Sequence, residues 1–387
     1  MERFLKIMSY LLTAVLGFAV AVVIFMGVGI IPVDPGFSKL EQLQKLIEQR
    51  FIGQADITVM EDAAADAMVT SLGDRWSQYI SAESYGAYME QMNNAYVGVG
   101  ITVSVRDDGQ GIDVTQVSSN GPADEAGMKP GDIIIKVDGL EVDTTDLTDV
   151  RNRVKGNAGT MVDLTIVRDG SEMTFTVERR EIQVTVAEGE MLTDTIGLVT
   201  ITNFDERCAQ ETIAAIEQVI SAGAESLIFD VRNNPGGYKD EMVEVLDYLL
   251  PEGPLFYSED YTGNSFVDSS DARCLDIPMA VLVNSESYSA AEFFAAALSE
   301  YEAAEVVGEK TCGKGYFQQT FRLWDGSAVS LSIGKYYTPN GLSLADVGIT
   351  PDIEVSVDEE TFFEIYAGTL APEEDPQIQA AIVALEK

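Results

Sequence analysis

The second half of the chain alternates short apolar runs with helical segments. The runs TIGLVTI, SLIFDVR and PMAVLVN are rich in β-branched and other aliphatic residues, and helix-like stretches follow them at 209–222, 239–250 and 290–301. Apolar strands separated by helices of about 10 to 15 residues are typical of a parallel sheet covered by helices on both faces. This pattern predicts an α/β core over residues 184–356, and 46% hydrophobic content is sufficient for its interior.

The regions on either side of this core have different patterns. From Tyr96 the runs ITVSV, IDVTQV, DIIIKVDG, MVDLTIV and MTFTVERR are separated by Gly and Asp-Gly turns, which is typical of a compact β module. We assign this module to residues 95–183. Apolar residues at helical spacing predict a small helical region over residues 34–94 and a helical tail over residues 357–387.

An uncharged apolar run lies near the N-terminus. Ile7–Val33 contains no charged residue, and about 20 apolar residues suffice for a helix to cross a bilayer. Two basic residues precede the run and Asp34 follows it, which favours a cytoplasmic tip over residues 1–6 and an exported remainder. A cleaved signal peptide is the alternative, since Ala19–Ala21 has the small-x-small form of a cleavage site. The apolar run continues well past it, so we predict an uncleaved single-pass anchor over 7–33 in the cell membrane.

Composition excludes several functional classes. The chain has 24 basic and 64 acidic residues, a net charge of −40, which argues against nucleic acid as a partner because a phosphate backbone needs a basic face. Its three cysteines are far apart and form no CxxC motif. It has no histidine, which excludes a Ser-His-Asp triad within the chain and argues against most zinc and haem sites. We expect no metal and no other cofactor.

Two segments of the β module resemble a PDZ domain. The segment GPADEAGMKPGDIIIKVDGLEV, 121–142, has the turn and isoleucine-rich strand of bacterial PDZ modules, and YVGVGI resembles their carboxylate-binding loop. Glycines in such a loop let successive N–H groups converge on a terminal carboxylate, with Val99 and Ile101 beside a side-chain pocket. The resemblance implies that protein C-termini bind to Tyr96, Val97, Gly98, Val99, Gly100 and Ile101.

The segment VLVNSESYSAAEFFAAAL contains three alternating serines, Ser285, Ser287 and Ser289, at the start of an alanine-rich helix. The sequence SAAE from Ser289 to Glu292 is a capping box, which by itself indicates a structural serine. A hydroxyl at a helix N-terminus also lies beside unpaired N–H groups that can stabilise an oxyanion. Capping and nucleophilic roles are therefore compatible at Ser289.

A lysine segment follows, GEKTCGKGYFQQ, with Lys310 and Lys314. A lysine acts as a base only when it is neutral, and burial has to lower its pKa by about 3 units from roughly 10.4 for this at neutral pH. Lys310 follows Ser285 at the same spacing as Lys314 follows Ser289. The helix start after Ser289 and the glycines flanking Lys314 favour the second pair.

Together with DVRNNPGGYKDEMVEV and KYYTPNGLSLADVGITPDIEV, these segments resemble the C-terminal processing peptidases, PDZ-containing serine proteases with a Ser-Lys pair. Weaker similarities lie in LGDRWSQYIS and DPQIQAAIVAL. The resemblance implies a mixed α/β and β multidomain fold, with a ClpP/crotonase-like protease core and an inserted PDZ domain. It implies Ser289 as nucleophile, Lys314 as base, Gln318 as the residue that orients the lysine amine, and the backbone amides of Gly236 and Ala290 as the oxyanion hole.

The resulting prediction is a membrane-anchored endopeptidase that cleaves exported proteins near their C-termini, and the resemblance also suggests a homodimer. Three positions, Tyr288, Ala291 and Cys312, depart from the residues common in the family. A trypsin-like PDZ protease is excluded because it needs histidine. A catalytically silent PDZ scaffold remains the alternative, although such a scaffold has no need of Ser289, Lys314 and Gln318 together.

Overall fold

The computed structural model describes residues 35–386, except residues 107, 108, 110, 119, 143 and 146. The apolar run Ile7–Val33, with the transmembrane anchor predicted for it, lies outside these residues. Within the described part of the chain, no helix combines the length and apolar character needed to cross a bilayer. The chain divides into two compact units, Met1–Gly73 and Asp74–Lys387.

The described part of the first unit is helical, as its apolar spacing predicts. It contains α1 (Pro35–Arg50) and α2 (Ile57–Thr70). The second helix begins after Asp56, whose carboxylate accepts a hydrogen bond from the Val59 N–H at 3.2 Å and so satisfies one donor of the first turn. Several large apolar side chains of these helices are exposed, namely Leu40, Leu43, Leu46, Val59 and Met68.

The second unit begins with β1 (Gln78–Ile80) and α3 (Ala82–Met92) and continues into the β module. The elements of this module are β2 (Ala95–Gly98), β3 (Ile101–Val105), β4 (Ile112–Val117), α4 (Pro122–Ala126), β5 (Ile133–Val137), β6 (Leu140–Glu141), α5 (Leu147–Val154), β7 (Met161–Arg168), β8 (Ser171–Glu178) and β9 (Arg180–Gln183). Its sheet has the order β3-β4-β5-β7-β8, with β6 paired to β5. Strands β2 and β9 pair separately and antiparallel, joining Ala95 to Gln183.

The rest of the second unit forms the α/β core and its extensions. Its elements are β10 (Ala187–Met191), β11 (Ile196–Ile201), α6 (Cys208–Ala222), β12 (Ser226–Asp230), α7 (Lys239–Leu249), β13 (Gly253–Asp260), β14 (Ser265–Ser270), β15 (Met279–Val283), α8 (Ala290–Glu300), β16 (Ala304–Gly308), β17 (Tyr316–Arg322), β18 (Ala328–Tyr337), β19 (Ile353–Glu354), α9 (Glu359–Ala367) and α10 (Pro376–Leu385).

The core sheet has the order β10-β11-β12-β15-β16-β19, in which every neighbouring pair is parallel except β10 with β11. This confirms the largely parallel sheet predicted from the apolar runs. Helix α8 is its most buried helix: Phe293 and Phe294 are no more than 1% exposed, and Phe294 meets Phe229 of β12 edge-on at 5.4 Å. The helix that carries Ser289 at its start is therefore rigidly held.

A second sheet has the order β1-β18-β13-β14, with β17 also paired to β18. Its first strand, β1, lies in the segment 34–94, for which helical spacing predicts only helices. Ile80 pairs with Ala328 of β18 and is 5% exposed. A strand of three residues is too short to give a periodic signal, so its pairing partner decides its conformation.

Candidate active site

The loops that follow β12 and β15 meet at the carboxyl ends of these two strands. The strands are parallel neighbours, so the turns that follow them leave the core sheet at the same end. The side chains of Asn233 and Asn284 join these turns. The Asn284 Nδ2 donates to Asn233 Oδ1 at 2.8 Å, and the Asn233 N–H donates to Asn284 Oδ1 at 3.0 Å. The NNPGG turn is thereby fixed beside the serine segment.

Ser289 has a strained backbone. It precedes α8 with φ +61° and ψ −121°, a conformation that costs a non-glycine residue on the order of 1–3 kcal/mol. Two hydrogen bonds hold this turn: the Ser289 N–H donates to the Glu292 carboxylate at 3.1 Å, and the Tyr288 N–H donates to the Asn234 carbonyl at 3.2 Å. The first is the Glu292 half of the predicted capping box. Strain of this kind is common where a fold holds a reactive side chain in one orientation.

Glu292 joins the serine segment to the lysine segment. Its carboxylate is fully buried. One oxygen, Oε2, accepts from the backbone N–H groups of Ser289 at 3.1 Å and Lys314 at 2.9 Å, while Oε1 accepts from the Thr311 hydroxyl at 2.5 Å and the Gly313 N–H at 2.6 Å. Burial raises the pKa of Glu292, and the four hydrogen bonds oppose this shift. A single buried carboxylate thus brings Ser289 and Lys314 together.

The Lys314 amine lies beside two aromatic rings. Its Nζ is 4.8 Å from the centre of the Trp76 ring and 5.9 Å from that of Tyr288. Burial lowers the pKa of Lys314 to about 8. The neighbouring groups that oppose this shift are Asp74, Cys312 and Glu292. With a pKa of about 8, roughly one amine in ten is neutral at pH 7, compared with about one in 2,000 for an unperturbed lysine.

Gly236 packs directly against the serine segment. Its φ is +90°, and a Cβ at this position would lie 2.8 Å from both Ala290 N and Ser289 Cβ. The Gly236 N–H donates to the Asn234 side-chain oxygen at 2.8 Å, so this predicted oxyanion donor has an internal acceptor in this conformation. Ala290 is the first residue of α8, where a helix N–H has no intrahelical acceptor.

Gln318 makes contacts other than the predicted one. Its Nε2 donates to the Ser332 hydroxyl at 3.0 Å and to the carbonyl of Tyr316 at 3.1 Å. The Ser332 N–H donates to the Ser77 hydroxyl at 3.0 Å, and that hydroxyl donates to Asp74 at 2.6 Å. Among the contacts of the described residues, the Gln318 amide reaches this chain of hydroxyls and not the amine of the predicted base.

Sequence reasoning missed two residues that contact the lysine segment. Trp76 belongs to LGDRWSQYIS, which shows only weak similarity to the family. Tyr336 of β18 is 4% exposed, and its hydroxyl donates to the Lys314 carbonyl. Burial raises the pKa of Tyr336, and a hydrogen bond with the Ser289 hydroxyl opposes the shift. Its position in KYYTPNG, one of the stronger similarities, is the signal from which it could have been identified.

The remaining serines and the second lysine have other surroundings. Ser287 is fully buried; its hydroxyl donates to the Val231 carbonyl at 2.7 Å and accepts from the Asn284 N–H at 3.0 Å. It therefore fixes the turn after β15. Ser285 and Lys310, the alternative pair at the same spacing, are both exposed.

The predicted peptide-binding loop joins β2 to β3. Tyr96, Val97 and Gly98 lie in β2, and Gly100 has φ +76°, which glycine adopts without strain. Val99 is 1% exposed and packs in the core of the module, with Ile101 partly buried beside it. Strand β3 is at the edge of its sheet, the position to which an extended peptide adds in β-augmentation.

Comparisons with known proteins identify the family of this chain. Residues 195–355 match peptidase family S41, and residues 114–168 match the PDZ domain family. A carboxyl-terminal-processing protease of Synechocystis sp. is 30% identical over 327 residues, covering 82% of this chain and 75% of the relative. The chain belongs to peptidase family S41. It contains a PDZ domain, as the sequence predicts.

Two further similarities extend over most of the chain. A probable CtpA-like serine protease of Staphylococcus haemolyticus is 32% identical over 322 residues, which cover 82% of this chain and 64% of the relative. A crystal structure from Bacteroides fragilis, described as an S41 protease, superposes with a TM-score of 0.53 at 16% identity, covering 89% of this chain and 97% of the other. The second similarity concerns the fold alone.

Proposed function

We propose that the chain is a serine endopeptidase of the C-terminal processing type, with Ser289 as nucleophile and Lys314 as general base. The observation that supports this most strongly is the buried Glu292 carboxylate, one oxygen of which accepts the backbone N–H groups of both residues. Burial also lowers the pKa of Lys314 to about 8, so its amine is partly neutral at neutral pH. A serine and a partly neutral lysine whose backbones are held by one carboxylate supply the two groups that nucleophilic catalysis without histidine requires.

In the proposed mechanism, the Ser289 Oγ attacks the scissile carbonyl carbon while its proton passes to the Lys314 amine. The resulting oxyanion accepts hydrogen bonds from the N–H groups of Ala290 and Gly236, and Gly236 must first release the Asn234 side chain. The Lys314 ammonium then protonates the leaving amine as the C–N bond breaks, leaving an acyl ester on Ser289. Water attacks this ester with Lys314 again as base, which releases the carboxylate product.

The wider role follows the family resemblance. Substrates are exported proteins that are cleaved near their C-termini, and the PDZ loop Tyr96–Ile101 binds the C-terminus of a substrate or partner. The run 7–33 anchors the chain in the cell membrane with its catalytic part outside the cytoplasm, and two copies form a homodimer. The Ser-Lys mechanism uses no metal, other cofactor or nucleic acid, and Gln318 orients the amine of Lys314 in the substrate-bound state.

Proteolysis of casein tests the enzyme class. We expect the full chain in detergent micelles to release soluble fluorescence from fluorescein-labelled casein, with new C-termini detectable by mass spectrometry. Because the mechanism uses side chains and backbone amides alone, EDTA should leave the rate unchanged within about twofold. Casein that remains intact at every pH between 6 and 10 would contradict the proposal.

A silent PDZ scaffold predicts a different outcome of the same experiment, in which peptides with free C-termini bind but no new termini form. The burial of Lys314 argues against this alternative. Moving the ammonium group of Lys314 out of water costs free energy, which is why its pKa is lowered. A scaffold that only binds peptides has no function that requires this burial.

Gly236→Ala tests the oxyanion loop. We expect a loss of about 10²- to 10³-fold in kcat for casein hydrolysis, the effect of losing one oxyanion donor, because the added Cβ would meet Ala290 N and Ser289 Cβ at 2.8 Å. Gly263→Ala is the matched control, since Gly263 has a similar φ of +86° but no atom within 4 Å of its Cβ position. Equal activities of the two variants would contradict a role for Gly236 beside the nucleophile.

A further inference from the structure

Two aromatic rings lie beside the Lys314 amine, and the Ser-Lys mechanism as proposed assigns no role to them. The rings of Trp76 and Tyr288 lie 5.9 Å apart with their planes inclined by 33°. The lysine Nζ is 4.8 Å from the first ring centre and 5.9 Å from the second, within the distance at which a cation is attracted to an aromatic face. We name Trp76 and Tyr288 the aromatic pair.

Trp76 is held in place by the same hydrogen-bond chain that reaches Gln318. The Trp76 N–H donates to Asp74 at 3.0 Å, and the other Asp74 oxygen accepts from Ser77 at 2.6 Å. The Ser77 hydroxyl in turn accepts from the Ser332 N–H of β18 at 3.0 Å. The backbone of Trp76 is therefore fixed to β18, the strand next to the lysine segment.

An aromatic face distinguishes the two protonation states of the amine. It attracts the ammonium by electrostatics and gives the neutral amine no comparable attraction. In the proposed mechanism the amine that reacts is neutral, and it becomes positive as Ser289 loses its proton. Stabilisation that arises only as charge develops lowers the barrier of the chemical step, whereas stabilisation of both states does not.

Other charged and titratable groups also face this amine. Asp74, Cys312 and Glu292 favour its protonated form. Arg75 lies with its guanidinium carbon 4.2 Å from the centre of the Trp76 ring and donates to the Cys312 sulfur at 2.9 Å. The titratable groups whose charges act on the amine are thus Asp74, Glu292 and Cys312, and the Tyr288 ring lies beside it. Arg75 contacts the Trp76 ring, and the Tyr336 hydroxyl contacts the backbone carbonyl of Lys314.

We propose that Trp76 and Tyr288 are positioning residues that stabilise the ammonium of Lys314 as it accepts the Ser289 proton. This inference rests on the proposed Ser-Lys mechanism. In this role the aromatic pair acts on Lys314 as the aspartate of a Ser-His-Asp triad acts on its histidine. Tyr288, one of the three positions that depart from the residues common in the family, then contributes to catalysis in this chain and is not only a bulky neighbour of the nucleophile.

The pH dependence of casein hydrolysis tests this role. The wild type is expected to gain activity with rising pH through the pKa of Lys314, about 8, because only the neutral amine accepts the proton. Trp76→Leu keeps apolar bulk but removes the aromatic face, which destabilises the ammonium. We expect the acid limb of kcat/KM to move down by roughly 0.5 to 1 pH unit and the plateau at high pH to fall by roughly 3- to 10-fold, with KM unchanged.

Trp76→Phe is the matched control, since it keeps a ring at the same position. It should leave the pH of the acid limb unchanged and keep the plateau rate within about twofold. A purely structural role for Trp76 would lower activity at every pH without moving the limb. The proposal would be overturned if a folded Trp76→Leu variant had its acid limb of kcat/KM at the same pH as the wild type or at a higher pH.

A second pair of variants decides the question if Trp76→Leu does not fold. Tyr288→Leu should move the limb in the same direction by a smaller amount, because Tyr288 is the more distant ring, and Tyr288→Phe should not move it. A Tyr288→Leu limb identical to that of the wild type would then overturn the proposal. Casein cleavage by Ser289→Ala would instead reject the proposed function on which the inference rests.

Discussion

Ser289→Ala and Lys314→Met are each expected to lower kcat for casein hydrolysis by at least about 10⁴-fold. The first removes the atom that forms the acyl ester, and the second removes the amine that accepts its proton while keeping an unbranched apolar side chain in the same space. Because the two residues act as one unit, removal of either one removes the contribution of both. The double variant should therefore be about as active as each single variant. Initial rates at pH 9, where most of the wild-type amine is neutral, measure all three.

The exposed pair at the same spacing provides the control. Ser285→Ala and Lys310→Met change the same residue types in the same two segments, but both side chains are exposed. We expect these variants to keep wild-type rates within about twofold. Retention of most activity by Ser289→Ala or Lys314→Met, or a large loss in the control pair, would show that the nucleophile and base are misassigned.

Glu292→Ala is expected to have the largest effect on stability. The change removes the acceptor of four hydrogen bonds in a fully buried position and leaves the donors of Ser289, Thr311, Gly313 and Lys314 unsatisfied. Each unsatisfied buried donor costs about 1–3 kcal/mol, and relaxation of the site or entry of water offsets part of this cost. We therefore expect the free energy of unfolding to fall by on the order of 3–6 kcal/mol. Urea denaturation followed by circular dichroism measures this directly.

Glu300→Ala, at the other end of α8, is the matched control for that change. The Glu300 carboxylate accepts from the Thr338 hydroxyl at 2.6 Å and the Asn340 N–H at 2.7 Å, but it is partly exposed to water. Water can replace these two bonds, so the variant should lose about 1 kcal/mol. Similar urea midpoints for the Glu292→Ala and Glu300→Ala variants would contradict the view that Glu292 holds the serine and lysine segments together. Activity should be abolished by Glu292→Ala even where the variant remains folded.

The sequence predicts those parts of the fold that depend on local patterns. Apolar runs alternating with helices identify the parallel core sheet, and glycine-rich turns between β-branched runs identify the PDZ module, because burial and turn chemistry are recorded in consecutive residues. The strand Gln78–Ile80 was not predicted, since three residues carry no period and the partner strand lies far along the chain.

For the site, the sequence by itself determined which chemistry is available. The absence of histidine excludes the usual triad within the chain, and Ser289 at a helix start with Lys314 between glycines predicts a Ser-Lys pair, since these properties belong to residue types and their neighbours in the chain. Only the tertiary structure decided which groups surround that pair. The Glu292 carboxylate, the hydroxyl chain from Gln318 to Asp74, and the rings of Trp76 and Tyr288 come from separate segments. Their contacts depend on how the strands and loops pack, which no local pattern encodes.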